Sequence, residues 1–351
     1  MDLNIKPKTE CRWDLVSLGE VMLRFDPENH RIHDARKFNV CEGGGEYNVA
    51  RSIAKNFRLD ASLVTALADN QIGRLVEDLM RQSWVDTSNI IWRQTDGISR
   101  EVRNGVYFIE RGFGLRSPMG CSDRGNTAVS KLKPGDVDWP NFFESVRWFH
   151  TGGIFAGLSD TTPLIAHEAM QAARAAGTIV SYDLNYRDSL WAGRGGREAA
   201  DKVNRDLLQF ADVVFGVTGF DPSLSKYSED SLRKSAAKMI DAFPNLKIIA
   251  TTLRDISTAS RHDIGGAAFA NRGVAKARGL VGVDVLDRVG SGDAFAAGLI
   301  YGILNGEAIE HSLNLGVANA AYALASVGDG SSATLKEIEK LAAGGDSNVT
   351  R

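Results

Sequence analysis

Short apolar runs and amphipathic stretches alternate along most of this chain. The runs Leu15–Leu18, Ser62–Leu67, Val146–His150, Thr178–Asp183, Val213–Val217 and Lys247–Thr252 read as strands. Between them, apolar residues recur at helical spacing. Tyr47–Phe57 sets Val49, Ile53 and Phe57 on one face, and Ile72–Trp84 groups Leu75, Leu79 and Met80. Pro163–Ala176, Gly196–Phe210, Asp230–Phe243 and His311–Ala325 read likewise. Near-continuous apolar strands that alternate with helices predict an α/β fold. The expected core is a doubly wound, mainly parallel sheet with helices on both faces.

Two stretches break this rhythm. Met22–Val40 is polar with scattered apolar residues. Ile98–Val129 alternates as strands do, at Val102, Val106 and Phe108, before a turn at Gly112-Phe113-Gly114. Together, about 22–42 and 98–129 predict a small β-sheet appendage projecting from the core. The rest reads as one domain over 13–345, with flexible termini at 1–12 and 345–351.

Composition narrows the class without deciding the function. At 351 residues, 43% hydrophobic and 24% charged, the chain is ordinary globular protein. A net charge of −3 gives no electrostatic case for nucleic acid or a membrane surface as partner. No apolar run approaches the roughly 18 residues of a membrane span. Cys11, Cys41 and Cys121 are odd in number and lack metal-ligand spacing, so a reduced cytoplasmic setting is expected. The six histidines show no zinc-type arrangement, and no metal site is assigned.

The chemistry concentrates in Asp287-Arg288-Val289-Gly290-Ser291-Gly292-Asp293-Ala294-Phe295. This segment joins the strand-like run Leu280–Leu286 to the small-residue helix Ala294–Leu304. Glycines let successive N–H groups converge, and a helix N-terminus adds about half a positive charge. Phosphate oxygens suit such a place. Asp293 stands there as a base able to accept a proton from an attacking hydroxyl. An anion hole of Gly290, Ser291 and Gly292 beside a carboxylate points to phosphoryl transfer to an alcohol. An ordinary capped βα connection has the same ingredients. The segment is neither a Walker A loop nor a dinucleotide fingerprint.

A second constellation, Glu42-Gly43-Gly44-Gly45-Glu46-Tyr47-Asn48-Val49-Ala50, opens a helix with three glycines. Bare backbone admits a ligand closely, and Asn48 can donate to and accept from hydroxyls. A flexible turn before a capped helix is the alternative.

Together the two segments resemble the signatures of the ribokinase-like (PfkB) carbohydrate kinases, and the resemblance runs from Leu15 to about Leu341. It implies a ribokinase-like fold with a β lid over the sugar, and an ATP-dependent carbohydrate kinase. Within the family, Asp183-Leu184-Asn185-Tyr186-Arg187-Asp188-Ser189-Leu190-Trp191 is similar to the D-x-N-x-R-x-x-L-W segment of 2-keto-3-deoxygluconate kinases and of some fructokinases. Val106–Glu110, Asp123-Arg124, Thr251–Arg254 and Ser260–His262 are similar to the former subgroup.

The resemblance assigns Asp293 as general base and Gly290–Gly292 as anion hole. It places Gly44, Gly45, Asn48, Tyr107, Arg124, Arg187, Asp293 and Asp329 at the substrate. It places Asn185, Thr252, Arg254, Gly290, Gly292 and Asn319 at the nucleotide. A guanidinium grips a carboxylate bidentately, which suits Arg187, and Arg124 from the lid, to a sugar acid. Each of these two arginines taken alone reads first as a solvated surface residue, which the resemblance reverses for Arg187; Tyr107 is equally a lid-core aromatic, and Arg254 equally half of a surface ion pair.

ATP and Mg²⁺ are the implied cofactors, and a monovalent cation behind the Asp287 loop is left open. A homodimer through the lid is compatible with the resemblance. The chain departs from the family at three places, one of them Ser122, where the keto-deoxygluconate kinases often have an aromatic. Val217-Thr218-Gly219-Phe220-Asp221 stands where relatives carry N-x-x-E, and Thr252–Ser257 replaces T-x-G-x-x-G. The expected reaction is phosphorylation of 2-keto-3-deoxygluconate to its 6-phosphate. Fructose, 5-dehydro-2-deoxygluconate or a nucleoside as acceptor, and a sugar-binding homologue without turnover, are the alternatives.

Overall fold

The computed structural model describes residues 3–345. Its strands run β1 (Trp13–Leu18), β2 (Met22–Asp26), β3 (Asn39–Gly43), β4 (Ala61–Ala68), β5 (Ile90–Arg93), β6 (Val106–Glu110), β7 (Met119–Asp123), β8 (Val146–Gly152), β9 (Ile179–Asp183), β10 (Val213–Phe215), β11 (Ile248–Thr258), β12 (Arg261–Ala270), β13 (Gly273–Lys276) and β14 (Leu280–Asp284). The large sheet has the order β13-β12-β11-β10-β9-β8-β1-β4-β5, with β14 paired to β12. From β11 across to β5 every pairing is parallel. Strand β4 is buried at all eight positions and β1 at all six, as continuous apolar runs require when helices cover both faces.

Each sequence-expected helix forms within about two residues of its expected ends, except that the glycine-turn helix starts earlier. It spans Ser291–Leu304 and is buried on nearly every side, as its unbroken apolar composition requires. It packs on the helix Ile309–Leu324 so closely that a Cβ on Gly298 would lie 2.6 Å from the Leu315 carbonyl. The helix Gly45–Lys55 packs against the same element.

Beyond β11 the parallel rhythm stops. β12, β13 and β14 are antiparallel, so the run at Leu280–Leu286 is a strand laid against β12 and not a further parallel strand. The polar outer half of the β11–β12 hairpin, Arg254–Asp263, hides its alternation in the sequence.

The two irregular stretches form a separate four-stranded sheet of order β3-β2-β6-β7. One face carries its own aromatic cluster. Phe25 stacks on Phe108 at 5.0 Å and Phe38 meets Phe108 edge-on at 5.5 Å. Arg24 and Tyr107, paired in register one residue earlier on each strand, alternate to the opposite face and reach the body.

The segment 3–12, expected to be flexible, lies against the body. Leu3 and Ile5 pack on the core, and Lys6 donates to the Phe143 carbonyl at 2.6 Å. Of the other expected flexible terminus, 346–351 lies outside the described residues.

Candidate active site

The helix Ser291–Leu304 begins at Gly290, whose φ of 79° is left-handed. A Cβ there would lie 1.8 Å from the Asp329 carbonyl, so both the turn and the close approach require glycine. Asp293 follows in the first helical turn and is nine-tenths buried at 9% exposure. Its partner comes from the first turn of the helix Gly45–Lys55: Asn48 Nδ2 donates to Asp293 Oδ2 at 2.7 Å. The packing of two helices therefore brings the two glycine-rich segments of the sequence to one point.

A cleft of about 740 Å³ opens over this point. Gly44, Gly45, Asn48, Tyr107, Arg124, Asn185, Arg187, Thr252, Arg254, Gly290, Ser291, Gly292, Asp293 and Asp329 all line it. A Cβ on Gly292 would meet nothing within 4 Å, so the turn is open on the side where a ligand would approach. Asp183 and Asn185 stand at the carboxyl end of β9, where open α/β sheets hold ligands. Asn185 adopts a φ of 22°, a conformation that side chains other than asparagine and aspartate rarely take.

Burial sets the electrostatics. It pushes the Asp293 carboxyl well above the ordinary aspartate value; the Asn48 amide opposes the shift, while Asp183, Asp329 and Glu46 add to it. Burial also raises Asp183 to about 6 and Glu46 to about 7. Burial and then Arg288 lower the Arg254 pKa, and Arg254 donates to Ser291 Oγ of the glycine turn at 2.9 Å. A buried carboxyl beside a backbone anion hole and two guanidinium groups can bind phosphate oxygens and take up a hydroxyl proton.

The arginines expected at a sugar acid differ in state. Arg187 is exposed at the cleft; its guanidinium makes no hydrogen bond or ion pair with another described residue, although its charge lowers the pKa of Asp183, so its fork is available. Arg124 is instead joined to the buried carboxylate of Glu20. Tyr107 donates its hydroxyl to Asp329 Oδ2 at 2.6 Å.

Asn319, expected at the nucleotide, does not line the cleft. It is fully buried between helices and donates to Ser52 Oγ at 2.9 Å and to the Ala294 carbonyl at 2.8 Å, which ties the Asn48 helix to the Asp293 helix. Asp221, which occupies the departed N-x-x-E stretch, is exposed and bonded to Ser223 N, outside the cleft.

Sequence reasoning gave no site role to Asp183, Arg288 or Arg24. The first two sat inside quoted motifs without a role of their own. Arg24 carried no signal beyond one cation in a polar stretch with scattered apolar residues.

Among the described residues no group of three or more His, Cys, Asp or Glu side chains fits a metal ion. Asp183 and the Asn185 amide fit an ion that arrives on phosphates and takes only one or two protein oxygens.

Comparison with known proteins decides the family. The model of the pfkB family carbohydrate kinases matches residues 13–336. The chain belongs to that family. A 2-dehydro-3-deoxygalactonokinase of Haloferax volcanii is 30% identical over 96% of this chain and 99% of its own length. A 5-dehydro-2-deoxygluconokinase of Shouchella clausii is 28% identical over 94% of this chain and 95% of its own. The structure of the 2-dehydro-3-deoxygluconokinase of Thermotoga maritima superposes with a TM-score of 0.84 at 32% identity, covering 94% of this chain and 99% of that one. The chain is thus a sugar kinase with the ribokinase-like fold. No helix among the described residues is long and apolar enough to cross a membrane.

Proposed function

We propose that this PfkB kinase transfers the γ-phosphoryl group of ATP to the primary hydroxyl of 2-keto-3-deoxygluconate, giving the 6-phosphate and ADP. The observation that carries the reading is the Asn48–Asp293 contact of 2.7 Å at the mouth of the glycine turn. Asp293 Oδ1, the oxygen Asn48 leaves free, accepts the hydroxyl proton. The substrate oxygen then bonds to the γ-phosphorus as the bond to the β-phosphate oxygen breaks, and ADP departs. Backbone N–H groups of Gly290, Ser291 and Gly292 stabilise the charge on the transferring group. Arg254 and Arg288 flank the phosphates. When bound, Mg²⁺ neutralises phosphate charge, with Asp183 and Asn185 as the protein oxygens suited to it.

An acidic acceptor is favoured by Arg187, whose guanidinium is unengaged at the cleft. Gly44, Gly45 and Asn48 contact the sugar, and the small sheet closes over it and excludes water. Arg124 reaches the carboxylate only by leaving Glu20, so it is the weaker ligand. The 2-keto-3-deoxygalactonate epimer is the second reading, supported by the Haloferax volcanii relative. The exposed edge strand β7 supports pairing of the small sheets of two copies, which the mass in solution reads.

The test is ADP formation across 2-keto-3-deoxygluconate, its galacto epimer, 5-dehydro-2-deoxygluconate, fructose and a nucleoside. The highest kcat/KM is expected for 2-keto-3-deoxygluconate. Preference for fructose or the nucleoside would overturn the acidic-substrate reading. Sugar binding without ADP formation would overturn the kinase reading of this chain.

A further inference from the structure

Arg24 of β2 is, among the described residues, the one arginine or lysine that is wholly buried. Three carboxylates surround it. Its Nη1 donates to Asp329 Oδ1 at 2.8 Å, and its Nη2 bonds Asp287 and meets Asp26 Oδ2 at 3.4 Å. Asp26, Asp287 and Asp329 are themselves nearly or wholly buried. Burial alone would lower the Arg24 pKa, but Asp329 and Asp287 hold it above the ordinary arginine value.

The position of these carboxylates gives the contact its meaning. Asp287 opens the glycine turn, and its Oδ1 accepts from Val289 N at 3.1 Å, one residue before Gly290. Asp329 accepts from Tyr107 of the small sheet, lies 3.4 Å from Asn48 Nδ2, and carries the carbonyl that Gly290 approaches. One guanidinium thus joins the small sheet to both sides of the anion hole.

A monovalent ion behind this loop would need carboxylate oxygen from Asp287. Both of its oxygens are engaged: Oδ1 with Val289 N, and Oδ2 with Arg24 and with Gly328 N at 3.3 Å. The guanidinium already bonded to Oδ2 repels a second cation at this carboxylate, so the place does not suit an added inorganic cation. We infer that the Arg24 guanidinium is the resident cation of the anion-hole turn, a positioning residue that makes the turn independent of monovalent ions. Resting on the kinase reading for its consequence in turnover, it rests on geometry alone for its effect on the turn.

The test compares the purified protein in K⁺, Na⁺ and choline buffers of equal ionic strength. For the wild type, neither Tm nor the rate of ADP formation should depend on the ion. For Arg24→Ala, kcat should fall by about 10²-fold, the cost of a misplaced reacting geometry, with the KM for ATP changed far less. Added K⁺ or dilute guanidinium should then raise both Tm and kcat of the variant while leaving the wild type unmoved. Arg24→Lys should retain the fold and recover part of kcat.

Activation or stabilisation of the wild type by K⁺ over choline would overturn the inference, and this result needs no variant to fold. Loss of kcat in Arg24→Ala that no cation restores, in a protein with wild-type Tm, would overturn it as well. A wild type that phosphorylates no sugar but shows an ion-independent Tm, beside a variant stabilised by K⁺, would sink the kinase reading and leave Arg24 standing.

Discussion

Asn48 and Asp293 are separated by 245 positions in the chain, and the amide of the first donates to the carboxyl of the second at 2.7 Å. The bond engages Oδ2 of that carboxyl. It also opposes the upward shift that burial imposes on Asp293.

That opposition has a consequence in pH. The proposed transfer requires the carboxylate, which is lost as pH falls through a pKa held above the ordinary aspartate value of about 4. Activity should therefore rise with pH on an acid limb displaced upward from that of a solvated aspartate. Asp183 and Glu46 titrate nearby, so the limb belongs to the cluster. Removing the opposing donor in Asn48→Ala should move the limb further up. A pH profile of kcat/KM for the sugar measures both. A limb unmoved by Asn48→Ala would dissociate the amide from the base.

Arg187→Ala separates acid from neutral substrates. A hydrogen bond between charged guanidinium and carboxylate groups contributes about 1.5–3 kcal/mol. The KM for 2-keto-3-deoxygluconate should rise about tenfold or more, whereas any residual transfer to fructose should be unchanged. Equal losses on both substrates would remove the carboxylate-gripping role.

Glu46 contributes to pH-dependent stability. Its folded pKa is about 7 against 4.5 for the free side chain, raised first by burial. Between these values the folded state binds more protons than the unfolded one, so Glu46 costs stability progressively as pH rises through that window. Glu46→Gln keeps an oxygen to accept from Phe155 N, the present partner of Oε1 at 3.1 Å. The variant should gain up to about 2–3 kcal/mol relative to wild type near pH 8, and almost nothing near pH 4. Denaturant midpoints at the two pH values measure this. An equal difference at both would show that Glu46 is not the titrating group.

Much of this molecule was legible from its hydrophobic pattern. Runs such as Ser62–Leu67 are apolar on both faces only because helices cover both sides of a parallel sheet. The small sheet was legible as a broken rhythm, since one of its faces carries Phe25 and Phe108 while the other carries Arg24 and Tyr107. The turn at Gly290 was legible because left-handed backbone against a carbonyl leaves no residue but glycine. What stayed hidden was partnership across the chain. Nothing near Asn319 distinguishes an amide that ties two helices together from one that meets a nucleotide. Nothing near Arg124 announces Glu20. Arg24 reads as an interruption in a strand until Asp287 and Asp329 arrive from the far end of the sequence.

In the proposed transfer the Asp293 carboxylate takes the proton of the sugar hydroxyl. Steady-state turnover of Asp293→Asn, with ATP binding measured in parallel, tests it most directly. The expected result is a kcat lowered by about 10²- to 10⁴-fold, the usual contribution of a general base, with ATP affinity retained. A variant that keeps most of its turnover would contradict it.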